Sequence, residues 1–148
     1  MALQLSEVDL TKDFDQLITC MWESYENPFQ PFFRFFCPIL NDDREASIKE
    51  STARFLEWQQ HDPHARWLKV ADPVTGKIAG AAWYKIFTEN PFANDPDVAA
   101  YWYPDASSND FAGQAIGMME DVRREKATRP QVCKWTDLSG FYTLLMRI

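Results

Sequence analysis

The chain has 148 residues, 46% of them hydrophobic and 15% aromatic, which is enough apolar material for one packed domain and too much for a disordered chain. Its 22 acidic and 15 basic residues leave a net charge of −7, a balance that repels nucleic-acid phosphates and anionic membrane surfaces and argues against both as partners. Three widely spaced cysteines, Cys20, Cys37 and Cys133, form no CxxC pair, so they point to buried thiols in a reducing compartment and to neither a disulfide framework nor a zinc site.

Met1 to Glu7 carries no basic and apolar leader pattern, so secretion is not expected and the cytoplasm is, with the nucleus not excluded. The most apolar run, Phe32 to Leu40, is broken by Arg34 and Pro38 and is far shorter than the roughly 20 residues of a membrane-spanning helix. Ala2 to Val8, alternating at Leu3 and Leu5, reads as an opening strand. Leu10, Phe14, Leu17, Ile18, Met21, Trp22 and Tyr25 recur at spacings of three and four and predict a helix over 10–25, with Thr11 or Asp13 as its cap. The prolines of Glu26-Asn27-Pro28-Phe29-Gln30-Pro31 stop it.

Asp42 and Glu45, three apart, signal the start of a second helix, whose face is marked by Ile48, Thr52, Phe55, Leu56 and Gln59 and which runs to about Gln60. Trp67 to Ala71 and Ile78 to Tyr84 flank Asp72-Pro73-Val74-Thr75-Gly76-Lys77, which predicts an antiparallel hairpin. The stretch 90–110 reads as a long irregular segment around Tyr101-Trp102-Tyr103. Phe111 to Lys126 is helical by spacing, with Phe111, Ala115, Met118, Met119 and Val122 on one side as the apolar face. Gln131 to Ile148 is expected to begin a strand and ends in the apolar run Phe141 to Met146. The fold class is thus mixed α/β: a single domain over 1–148, with a mostly antiparallel sheet flanked by helices.

Four stretches carry a family likeness: Trp22 to Phe33, Asp42 to Ser47, Trp67-Leu68-Lys69-Val70 and Thr75 to Gly80. They resemble the acetyltransferase-like proteins of filamentous fungi, members of the GNAT superfamily of N-acetyltransferases, over about residues 1–130, and the tail 131–148 diverges. The resemblance implies transfer of an acetyl group from acetyl-CoA to an amine of a small molecule or peptide. It places Tyr25, Asn27, Phe29, Trp83 and Trp102 at the acceptor, and Glu26 and Tyr142 as candidate catalytic base and acid. The family's phosphate loop, [Arg/Gln]-x-x-Gly-x-[Gly/Ala] at a helix N-terminus, lets backbone N–H groups meet the pyrophosphate. Here Gly140 and Thr143 are its counterparts, while Asp137 and Tyr142 replace the expected Arg or Gln and the small residue.

With that loop degraded, two functions are expected: an N-acetyltransferase of reduced or absent activity, or a non-catalytic acyltransferase-like module that binds partners and self-associates along an open sheet edge. The remaining aromatics, Phe32, Phe33, Phe35 and Phe36, read as core or as the wall of an apolar pocket. His61 and His64 lack a third ligand, so no metal is expected. Ser24, Ser47 and Ser51 lie in no nucleophile elbow.

Overall fold

The computed structural model describes residues 2–85 and 99–126. In chain order it contains β1 (Gln4–Glu7), α1 (Phe14–Glu26), a 3-10 turn (Pro31–Phe35), α2 (Arg44–His61), β2 (Ala65–Ala71), β3 (Ile78–Lys85) and α3 (Ala106–Lys126). The strands form one antiparallel sheet in the order β1-β2-β3. The described part is therefore a mixed α/β fold with an open sheet. No described helix is long and apolar enough to cross a membrane.

The hairpin forms where the sequence predicts it. Gly76 sits at φ 72, in the left-handed region that glycine enters without steric cost. Its N–H meets the Asp72 carbonyl at 2.8 Å, and Asp72 N–H meets the Lys77 carbonyl at 2.9 Å. The register places Trp67 opposite Trp83 and Leu5 opposite Val70.

β1 is also where expected, but its leucines face away from the core. Ser6 stands opposite Lys69, and Lys69 is ion-paired at 2.5 Å to Asp13 beside α1, so Ser6 shares the face turned toward that helix. Leu5, on the other face, is 65% exposed, and Leu3 is exposed with it. The alternation was the right period with the apolar residues on the outer side.

α1 begins at Phe14, four residues later than its periodicity suggests. Asp9 holds the preceding turn instead, accepting from the backbone and hydroxyl of Thr11 at 3.0 and 2.6 Å. Asp13 stands at the N-cap, but its carboxylate is taken by Asp9 N–H at 2.7 Å and by Lys69. Phe14, Leu17, Ile18, Met21 and Trp22 of α1 are buried together with Phe33, Phe55, Ala65, Trp67, Ile78, Ala81 and Trp83 in the main core. Trp67 stacks on Trp83 at 5.8 Å and meets Phe14 edge-on at 6.4 Å. Gln16 accepts the Ile78 N–H and adds a polar tie between α1 and β3.

α2 is capped by Asp43, whose Oδ1 accepts the Ala46 N–H at 2.9 Å. Asp42 cannot serve, because it and Asn41 occupy left-handed backbone at φ 57 and 53, conformations that Asn and Asp tolerate better than most residues. The inner face of α2 is unusually polar: Ser47, Ser51, Thr52 and Arg54 are buried beside Phe55. Ser51 Oγ accepts from Trp22 Nε1 at 2.9 Å and donates to the Ile48 carbonyl at 2.9 Å.

α3 begins five residues before the expected start, with Asp105 Oδ1 accepting the Ser108 N–H at 2.8 Å. Its buried positions are Ala112, Ile116 and Glu120, whereas Phe111, Met118 and Val122 are exposed. Three of the five residues of the expected apolar face are thus turned outward, while Ala115 and Met119 are partly buried and Met119 packs inward. The inward face is chosen by Trp102 and Ala100, which with Ala112 and Ile116 form a second, smaller cluster.

Candidate functional site

Between α1 and α2 the chain turns back on itself. The Asn27–Pro28 bond is cis, Glu26 and Phe29 form an isolated bridge, and Gln30 N–H meets the Tyr25 carbonyl at 2.7 Å. Pro31 then opens the 3-10 turn, at a position where its missing N–H is not needed. This folds the aromatic side chains onto the end of α1. Tyr25 stacks on Phe33 at 4.8 Å and meets Phe32 edge-on at 5.4 Å, and Trp22 meets Phe33 edge-on at 5.4 Å.

Glu26 lies at the centre of this loop, held by two arginines. Arg34 Nη2 donates to Oε1 at 2.6 Å, and Arg44 donates to Oε2 from Nε at 2.9 Å and Nη2 at 2.6 Å. The Arg34 guanidinium also lies 5.0 Å from the Trp22 ring centre and 5.4 Å from that of Phe29, within the range of cation–π attraction. Partial burial pushes the Glu26 carboxyl up, and the hydrogen bonds from Arg44 and Arg34 more than reverse this, so its pKa lies below the usual value. A carboxylate so stabilised is a weak proton acceptor. Burial pushes the Tyr25 phenol up to about 12, so it stays protonated.

A second polar cluster lies where α2 meets the 3-10 turn. Arg54 is buried, with Nε and Nη2 on the two oxygens of Glu50 at 2.8 and 3.1 Å and Nη2 also on the Phe36 carbonyl at 2.8 Å. Its guanidinium lies 4.6 Å from the Trp102 ring centre and 5.1 Å from that of Trp58. Trp102 Nε1 donates to the Phe35 carbonyl at 2.8 Å, and Tyr103 donates to the Arg34 carbonyl at 2.6 Å. Tyr101 accepts from Trp58 Nε1 at 2.8 Å. Trp102 and Tyr103 thus fasten their stretch to the turn, and Tyr101 ties it to α2.

Of the residues expected at the acceptor, Tyr25 lies at the end of α1 and Asn27 and Phe29 on the loop that follows, both of these exposed, Phe29 by 54%; Glu26, the expected base, is the last residue of α1. Trp83 is instead stacked in the sheet core, and Trp102 belongs to the second cluster. Tyr142, Gly140 and Thr143 lie outside the described residues. Among the described residues, α2 and α3 start with a carboxylate that accepts a first-turn N–H, Asp43 from Ala46 and Asp105 from Ser108, and α1 starts with Asp13, whose carboxylate accepts no N–H of its own helix. A carboxylate at a helix start opposes a second anion, so none of these termini is suited to a pyrophosphate.

Arg34, Arg44 and Arg54 had no assigned role in the sequence reading. An arginine inside the phenylalanine run and one adjoining Phe55 on the core side of α2 are the signals that could have drawn attention to them. His61 Nδ1 lies 2.8 Å from the Glu57 carbonyl, and the described residues hold no group of three or more metal-ligating side chains. Cys37 is fully buried, which pushes its thiol up to about 12, and Cys20 is half-buried with its pKa also raised by burial. Comparison with family models and with curated proteins finds no match to either.

Proposed function

We propose that the chain is an acyltransferase-type module of the GNAT kind, built to pass an acetyl group from acetyl-CoA to an amine of a small molecule or peptide. The observation that carries this reading is the element order: strand, helix, loop, helix and hairpin, with the strands side by side in the order β1-β2-β3 and α1 against the sheet. That succession of elements resembles the first two thirds of the GNAT acyltransferase fold. Further support comes from the α1–α2 loop, which exposes Asn27 and Phe29 next to the partly buried Tyr25 at the end of α1.

In this reading the amine attacks the thioester directly, and the protein contributes proximity and orientation. Glu26 supplies a fixed negative charge that braces the loop, and proton removal falls to ordered water, because the two arginines depress the basicity of this carboxylate. Holding the cofactor's phosphates falls to Gly140 and Thr143.

A second reading, a non-catalytic acyltransferase-like module acting through partners or self-association along the open sheet edge, is favoured by the clamped state of Glu26 and by the exposed Phe111, Met118 and Val122 of α3. Contiguous exposed apolar surface is a common mark of interaction sites. Mass-spectrometric detection of acetyl transfer from acetyl-CoA to a panel of primary amines tests the first reading. Transfer supports it, and no transfer by a folded chain favours the second.

A further inference from the structure

We infer that residues 99–126 form a strap that opens as a unit from the rest of the described residues, latched onto two consecutive backbone carbonyls. These are the carbonyls of Arg34 and Phe35 at the end of the 3-10 turn, which accept from Tyr103 Oη at 2.6 Å and Trp102 Nε1 at 2.8 Å. The next carbonyl, that of Phe36, accepts from Arg54 Nη2 of α2 at 2.8 Å and is not part of the latch. The carbonyls at a helix end lack intrahelical partners, so side-chain donors are suited to close them.

Among the described residues the packing divides at the same place. α1, α2 and the sheet share the main core, whereas Ala100, Trp102, Ala112 and Ile116 form their own cluster. The partly buried residues Phe36 and Trp58 pack against both clusters. α3 itself meets the 3-10 turn, where the Phe111 ring lies 5.8 Å from that of Phe35. A seam of a few rings and a few specific hydrogen bonds, between two separately packed clusters, is where sub-global opening is expected. Opening removes the Trp102 ring from the Arg54 guanidinium, 4.6 Å away in the closed form. It also removes that ring from Phe36 and Trp58, at 6.5 and 5.5 Å. The strap therefore covers an aromatic surface of α2 and the turn that contains the Arg54–Glu50 ion pair.

Native-state hydrogen exchange of the full chain, read by mass spectrometry, tests the inference. Amides of 107–122 should exchange at least roughly tenfold faster than the slowest amides of α1, as expected of a less stable unit. Ile18→Val, which trims the main core, should accelerate the slowest α1 amides by roughly two- to tenfold and leave 107–122 unchanged. Tyr103→Phe should accelerate both sets by the same factor, roughly three- to tenfold, because the lost hydrogen bond is absent from the strap-open and the unfolded states alike. Equal acceleration of both sets by Ile18→Val, or equal protection of both in the parent chain, would mean that the molecule opens only as a whole and would overturn the inference.

Discussion

Arg34 joins Glu26 at 2.6 Å while its guanidinium lies over the Trp22 ring at 5.0 Å, so the charge that fixes the loop carboxylate is itself seated on the core. The loop's most chemically suggestive group is therefore also a structural brace. Arg44 completes the brace from the first turn of α2, from a more exposed position where salt screens it more strongly.

The brace has a pH signature. The Glu26 pKa in the folded chain lies below its ordinary value, because the hydrogen bonds from Arg44 and Arg34 outweigh the opposing effect of burial. A carboxyl with a lowered folded value contributes stability that is fully present above its unfolded value, about 4.3, and is lost as pH falls through the folded value. Glu26→Gln should thus lower the unfolding free energy by about 1–3 kcal/mol near neutral pH, and the difference from the parent should shrink as the medium becomes acidic. Urea titrations across the acid range check this. A difference that grows toward acid would contradict it.

The polar inner face of α2 makes a second expectation. Ser51 Oγ is the acceptor for Trp22 Nε1 inside the core, so Ser51→Ala leaves a buried indole N–H without that partner. The expected loss is about 1–3 kcal/mol, seen as a lower urea midpoint with an unchanged slope.

The orientation of α3 is tested by a pair of substitutions. Met118 is 73% exposed and Ile116 is buried. Met118→Lys should therefore change stability by no more than about 0.5 kcal/mol, while Ile116→Ala should cost about 2–4 kcal/mol. The reverse ranking would mean that the helix packs through its other face.

Local signals were the legible part of the fold. Helix-period spacing located α1, α2 and α3, and the Asp72–Lys77 turn located the hairpin, because each is written in neighbouring residues. What spacing cannot supply is the choice between two apolar faces of one helix. α3 carries Phe111, Ala115, Met118, Met119 and Val122 along the expected side and Ala112 and Ile116 along another, and Trp102, about ten residues upstream, packs with the second set and takes only Met119 from the first. The same reason hid the reversed face of β1, which depends on the Lys69–Asp13 pair between elements distant in sequence. At the candidate site, the neighbours Tyr25 to Phe29 were legible as a loop. The clamp on Glu26 was not, since Arg34 and Arg44 reach it from 8 and 18 residues away.

Acetyl-CoA binding to the purified 148-residue chain, measured by calorimetry with desulfo-CoA and adenosine diphosphate as controls, tests the acyltransferase reading most directly. The account predicts saturable binding of acetyl-CoA that is retained by desulfo-CoA and depends on the pyrophosphate. Absence of binding by a chain that unfolds cooperatively would contradict it and leave the partner-binding module as the function.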